Sequence, residues 1–506
     1  MHHLNRWLYI IIALFGASGV YSQIQLPPFF TDNMVLQREK PINIWGKGVP
    51  GMEVVVEFGG HPLSTLVKVD SSWSVTFPGQ KVSEELRTLK ISSGNESLEL
   101  HNIVLGDIWL CLGQSNMEWP MSNEMHWPEE RKEVDQSKVR ILNAVPAGRN
   151  IYGEPYSDSL VSRLTVDRFY QWSPWTTSDI QSVASFSAVG YYFGKTLVQH
   201  TGIPMGMINL SIGGAPAESF IRREALDRNE SFAPKVRGDW LSNEALPDWV
   251  RERGYQNVGS SPDVPRDALG KNHGYKPGMA YESGIKPLLP FPIAGILWYQ
   301  GESNAQERER VMEYGDLIKV MVEDYRTSWN QPEMPFYWVQ LSSIDTIEYN
   351  SQLWPEFRDE QRKMLDAIPY GGMAVTCDIG NKTDVHPRNK KDVGFRLARW
   401  ALHNMYHKKD IIPSGPLPLE ARYSEGKVTI HFRYASDSLR TSDGQAVRGF
   451  SLDGKSPIPA VIVQNTVEIP VRRKPDSIYY GWAPYTDANL VNAADLPTST
   501  FRMKVE

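Results

Sequence analysis

Between residues 106 and 410, five short apolar runs at 108–112, 205–210, 293–298, 336–341 and 373–377 are separated by stretches of helical periodicity. Few folds accept that arrangement. A strand that is apolar at nearly every position is covered on both faces, the condition of a parallel sheet with helices above and below it. Helices predicted over 187–199, 308–329 and 391–406 supply the two covering layers. Ligands of such sheets collect beyond the carboxyl ends of the strands, so the residues following each run carry the chemistry. A stretch at about 220–290, rich in Pro, Gly, Asp and aromatics, reads as an insertion that walls a site.

The flanking segments have a different rhythm. Residues 23–105 alternate apolar and polar positions in short runs broken by Gly and Pro, as in Ser72-Trp-Ser-Val-Thr-Phe77, the pattern of an N-terminal β-sandwich-like domain. Alternation returns over 411–506, in Lys427-Val-Thr-Ile-His-Phe432, giving a C-terminal β domain. With 506 residues the chain suits about three domains, with the α/β unit at 106–410 between the two β units. Apolar residues at 41% and charged residues at 22% fit a globular protein, not a disordered tail or a membrane bundle. The formal charge of −6, without a Lys/Arg block, gives phosphate backbones no field to follow, which argues against nucleic acid as a partner. Sixteen Trp and 22 Tyr provide flat amphipathic rings suited to sugar faces, although in β-rich chains most such rings fill cores. Residues 1–22 place Arg6 ahead of an apolar run at 7–15 and then Gly16, Ala17, Ser18 and Ser22, the pattern of a secretory signal peptide. The mature chain is therefore expected to be exported, periplasmic or secreted, with no integral membrane segment. Cys111 and Cys377 each lie in a strand-like run and are expected to be buried free thiols, not a disulfide or a metal cluster.

Polar residues cluster at four strand ends. The first run ends in Gly113-Gln114-Ser115-Asn116-Met117, where a tight turn would expose Ser115 as a nucleophile and aim its N–H at an acyl oxyanion. The Gly-x-Ser-x-Gly elbow of lipases is absent. The second run ends in Gly213-Gly214, which lets a substrate approach the main chain and leaves an N–H to donate. The third ends in Gln300-Gly301-Glu302-Ser303-Asn304, where Gln300 or Asn304 would be a third donor and Glu302 a structural partner. After the fifth come Asp384-Val385-His386-Pro387, bringing His386 to the edge that carries Ser115. Residues two apart in an extended segment share a face, so Asp384 would orient the imidazole through Nδ1. His403 and His407 lie four apart on a helix without a third metal ligand in view, the pattern of a solvated face.

Together, Gly113-Gln-Ser-Asn-Met117, Ile212-Gly-Gly214, Trp298-Tyr-Gln-Gly-Glu-Ser-Asn304 and Asp384-Val-His-Pro387 resemble the sialate O-acetylesterase family, a branch of the SGNH hydrolases. Pro28-Phe-Phe-Thr-Asp-Asn-Met-Val-Leu-Gln37 and Gly278-Met-Ala-Tyr-Glu-Ser-Gly-Ile-Lys-Pro-Leu288 extend the similarity across nearly the whole mature chain. The resemblance implies a flavodoxin-like three-layer catalytic domain that removes acetyl esters from sugars without a metal or other cofactor. By position, Ser115 is the nucleophile and His386 the general base. The N–H groups of Ser115 and Gly214, with Gln300 or Asn304, form the oxyanion hole, and Gln114 and Glu302 support it. Many SGNH enzymes place the acid three residues before the His; here Thr383 stands there, so Asp384, Asp378 or a main-chain carbonyl are the alternatives. The expected substrate is an O-acetylated sialic acid. The alternatives are acetylated plant polysaccharide such as xylan or pectin, or non-catalytic glycan binding. Nothing in the sequence sets the oligomeric state.

Overall fold

The computed structural model describes residues 24–134, 136–435 and 438–506, so the leader-like segment at 1–22 lies outside the described residues. Its axis is strand β1, Glu96–Gly113. The first half of β1 pairs antiparallel with Ser83–Ser93 and, at Val104 to Gly106, parallel with Val35–Gln37. From Asp107 onward it joins a central sheet with β2 (Gln136–Pro146), β3 (Met205–Asn209), β4 (Gly295–Tyr299), β5 (Phe336–Val339) and β6 (Gly371–Ala374). The order is β2-β3-β1-β4-β5-β6, all parallel, with Tyr170–Trp172 added antiparallel to β2 at one edge. The boundary expected at 105/106 therefore falls inside one unbroken strand, which makes the N-terminal sheet continuous with the central one.

Both faces of the sheet are covered, and alternate residues divide between them. One face carries Trp109 and Tyr337, whose rings stack at 5.7 Å, and Trp109 also meets Phe193 edge-on. Phe193 belongs to helix α2 (Ala188–Thr201), introduced after the short α1 (Ser115–Glu118). The opposite face carries Trp298 and Trp338. Trp298 Nε1 donates to Tyr314 Oη of α4 (Arg308–Ser328), and Trp338 Nε1 to the Gln361 carbonyl of α5 (Trp354–Ala367). Helix α6 (Lys391–Asn404) packs beside α2, while α3 (Asp248–Gly254) lies in the stretch between β3 and β4. The tryptophans at 109, 298 and 338 are inaccessible to solvent, and burying each large ring contributes about 2–3 kcal/mol. Trp298→Ala would leave a cavity and cost about 3–5 kcal/mol.

Helix α5 was not expected from the sequence, and it begins at Trp354-Pro355. Proline is tolerated there because the first helical N–H groups have no intrahelical acceptor. The C-terminal β strands have their own core, including Val428, Ile430, Val467, Ile469 and Phe501. They are fastened to the α/β unit by Arg358 of α5, whose guanidinium donates to the carbonyls of Gly481, Ala483 and Pro484. Among the described residues, no helix is long and apolar enough to cross a membrane.

Candidate active site

The chain turns sharply where β1 ends. Gly113 sits at φ +131°, and a side chain there would run into the Tyr299 carbonyl of the neighbouring strand. The Gln114 N–H donates to that same carbonyl at 2.9 Å, which places Ser115 as the first residue of α1. His386 arrives from the loop after β6. In that loop the Asn381 side chain accepts from the main-chain N–H groups of Thr383 (2.9 Å) and Asp384 (3.1 Å). Asn116 Nδ2 donates to the Val385 carbonyl at 3.0 Å and so ties the loop to α1. The outcome is a direct contact: His386 Nε2 and Ser115 Oγ lie 2.8 Å apart. The Trp119 ring stacks on the imidazole at 5.3 Å and 20°, limiting its rotation.

Charged groups lie beneath this pair. Lys390 is buried, its ammonium donates to Asn116 Oδ1, and it sits between the faces of Trp119 (5.5 Å) and Tyr299 (5.4 Å). Asn116 Nδ2 also donates to Glu302 Oε1, so one amide links the lysine to the glutamate. Burial pushes the Lys390 ammonium down to about 7, against the pull of Glu302, Asp384 and Glu124. Burial likewise raises the Glu302 carboxyl above its ordinary value. The His386 imidazole is lowered to about 4, first by burial and then by the Lys390 charge, with Asp384 opposing. A neutral imidazole in hydrogen-bond reach of a hydroxyl can accept its proton.

The other two polar clusters form the wall and frame. Gly214 has φ +73°, and a side chain there would collide with the Tyr275 hydroxyl. Its carbonyl accepts from Ser303 Oγ at 3.0 Å. Among the described residues, the N–H groups of Ser115 and Gly214 donate to no protein acceptor. Gln114 Oε1 accepts from Gln300 Nε2 at 3.1 Å and from the Ser303 N–H at 3.3 Å. Gln300 Nε2 also reaches Asn304 Oδ1 at 2.7 Å and the Ala215 carbonyl at 3.4 Å. Asn304 Nδ2 donates to Glu218 Oε2 at 3.1 Å, and Glu218 pairs with the buried Lys235. Both amides thus engage partners in the frame that holds three strand ends together.

Asp384 adjoins His386 but does not bond its ring. Its Oδ1 accepts the His386 main-chain N–H at 2.8 Å and lies 3.8 Å from Nδ1, beyond hydrogen-bond length. Asp378 is engaged by Arg396 in two parallel bonds of 2.7 Å. His403 Nδ1 bonds the Ile411 carbonyl at 2.8 Å, and Cys111 and Cys377 are buried and free. Sequence reading did not single out Trp119 or Lys390. Trp119 lies four residues after Ser115, across the turn of α1, a spacing that brings side chains together; Lys390 lies four after His386 in non-helical chain, where no such pattern marks it. A separate cavity of about 870 Å³ opens at the opposite edge of the sheet, beside Arg38, Asp107 and Tyr337.

Comparison with known proteins bears on this arrangement. Residues 279–403, spanning β4 through most of α6 and including His386, match the family described as carbohydrate esterase, sialic acid-specific acetylesterase. The sialate O-acetylesterase of Homo sapiens is 27% identical over 435 residues, covering 80% of this chain and 76% of the human protein. The chain resembles the sialate O-acetylesterases. The Mus musculus sialate O-acetylesterase is likewise 27% identical over 435 residues, with 80% of this chain and 78% of the mouse protein covered. Among solved structures, a carbohydrate acetylesterase from Xanthomonas citri superposes with a TM-score of 0.77 at 28% identity, over 95% of this chain and 99% of the other. The likeness to that structure, over 95% of this chain, therefore takes in the β units as well as the central sheet.

Proposed function

We infer that the chain is a carboxylic ester hydrolase that releases acetate from O-acetylated sialic acids, with Ser115 as nucleophile and His386 as base in an SGNH-type α/β domain. The observation that carries the chemistry is the 2.8 Å contact between His386 Nε2 and Ser115 Oγ at the carboxyl edge of the sheet. Sialate as the substrate is supported by the names of the human and mouse relatives and by the matched family. Export follows from the leader pattern of residues 1–22.

The reaction is acyl transfer in two steps. Ser115 Oγ attacks the acetyl carbonyl carbon while His386 Nε2 takes the hydroxyl proton. The oxygen that gains charge faces the N–H groups of Ser115 and Gly214, which have no competing acceptor among the described residues. The imidazolium returns the proton to the sugar oxygen as its bond to the acyl carbon breaks, leaving acetyl-Ser115 and the free sugar hydroxyl. Water then attacks the acyl carbon, His386 takes its proton, and collapse of the second tetrahedral species restores Ser115 Oγ–H and releases acetic acid, which ionises to acetate. Asp384 favours the imidazolium through its field at 3.8 Å.

Acetate release measured in parallel from O-acetylated N-acetylneuraminic acid and from acetylxylan tests the reading. The sialate is expected to be the better substrate by kcat/KM. Acetylxylan turnover without sialate turnover would overturn it.

A further inference from the structure

We propose that Arg253 recognises the carboxylate of the sugar substrate and so selects anionic over neutral acetylated sugars. The inference rests on the esterase reading above and adds the residue that reads the substrate's charge. Trp249 and Arg253 lie four apart on α3 and therefore on one face of it. Trp249 anchors that face to the site: its Nε1 donates to the Ser303 carbonyl at 3.0 Å, and its ring stands 3.7 Å from where a Gly214 side chain would begin. One turn on, the Arg253 guanidinium lies over the Tyr152 ring, 5.4 Å from its centre. The Tyr152 hydroxyl in turn stands 2.5 Å from where a Gly213 side chain would begin. Arg253 thus stands above the Gly213-Gly214 rim. Burial first, and then the charges of Glu348, Glu302 and Asp384, raise the nearby Tyr349 hydroxyl, with Arg253 opposing them.

The neighbouring cations are already engaged. Arg149 pairs with Glu118 at 2.6 Å, Arg251 with Asp248, and Lys390 is buried under Trp119. Among the described residues, Arg253 has no carboxylate or carbonyl partner, and its guanidinium lies over the Tyr152 face. A guanidinium of a partly buried arginine held against a ring is preorganised, and its planar fork matches a carboxylate in a two-bond grip. A neutral pentose polymer offers nothing for that fork to hold, whereas every sialic acid carries a carboxylate.

The test compares Arg253→Gln, Arg253→Lys and the unaltered protein on three esters: O-acetylated N-acetylneuraminic acid, its carboxyl methyl ester, and p-nitrophenyl acetate. A charge-assisted contact equal in ground and transition states appears in KM. The expected result for Arg253→Gln is a rise in KM of about tenfold to a hundredfold for the free acid. The ratio of kcat/KM for acid over methyl ester should collapse toward one, and Arg253→Lys should restore part of it. A structural role would lower all three esters in proportion and leave that ratio in place, which overturns the proposal, as does an unchanged KM for the acid. Absence of p-nitrophenyl acetate turnover by the unaltered protein would instead mark failure of the esterase reading itself.

Discussion

The Asp384 carboxylate holds the main chain of His386 and not its ring, with Oδ1 at 2.8 Å from the His386 N and 3.8 Å from Nδ1. The carboxylate therefore acts on the imidazole through space, as a field that favours its protonated form. Asp384→Asn keeps an acceptor for the N–H and removes only the charge. We expect kcat for acetate release to fall by about tenfold to a hundredfold, well short of the roughly 10⁴ lost when a ring-bonded acid is neutralised. A loss of the larger size would show that the carboxylate bonds Nδ1 in the working protein.

Burial and, after it, the Lys390 charge place the acid limb of the pH profile. The imidazole is active when neutral, and its value is lowered from 6.5 to about 4, so turnover should fall only as pH drops through about 4. Lys390→Met removes the second largest cause of that lowering. The neutral form is then lost at higher pH, and the acid limb should move up toward 6.5. Loss of the ammonium also leaves Asn116 Oδ1 without its donor, at about 1–2 kcal/mol in stability. A kcat/KM profile from pH 3.5 to 8 reads the shift; an unmoved limb would contradict the assignment.

Gly214→Ala asks whether the second oxyanion donor is needed. At φ +73° the added methyl group meets the Tyr275 hydroxyl, so the peptide rotates and its N–H no longer faces the acyl oxygen. Removing one such donor costs about 10²–10³ in kcat. Rates with p-nitrophenyl acetate measure the loss, and circular dichroism confirms that the variant folds.

Arg358→Met tests the joint between α5 and the C-terminal β unit. The Ala483 carbonyl loses its donor, while the carbonyls of Gly481 and Pro484 keep Thr500 Oγ1 and the Ile344 N–H. The expected destabilisation is about 1–3 kcal/mol, read as a lower urea midpoint of tryptophan fluorescence.

The central strands were legible because burial on both faces makes them uniformly apolar, as in Phe336–Val339. β2 was not, although it pairs in parallel with β3. Its buried Arg140 donates to the Asn33 carbonyl at 3.0 Å under cover of the N-terminal strands, and a charged residue in mid-run breaks the apolar pattern. The expectation that Asp384 and His386 share a face assumed extended chain. Asn381 folds that loop by taking two successive N–H groups, and Asp384 repeats the device on His386, so two-residue periodicity does not hold there. Gln300 and Asn304 had donors of the right kind. Which acceptors they meet depends on Gln114 and Glu218, far away in sequence, and no local pattern encodes that.

The account turns on Ser115 being the residue that is acylated. Treatment of the folded protein with a serine-directed phosphonate, followed by peptide mass spectrometry, tests this directly. The predicted result is one adduct per chain, on the peptide containing Ser115, formed in step with loss of acetate release and absent from His386→Ala. Complete inactivation with the adduct on another residue, or full labelling of Ser115 with acetate release intact, would contradict it.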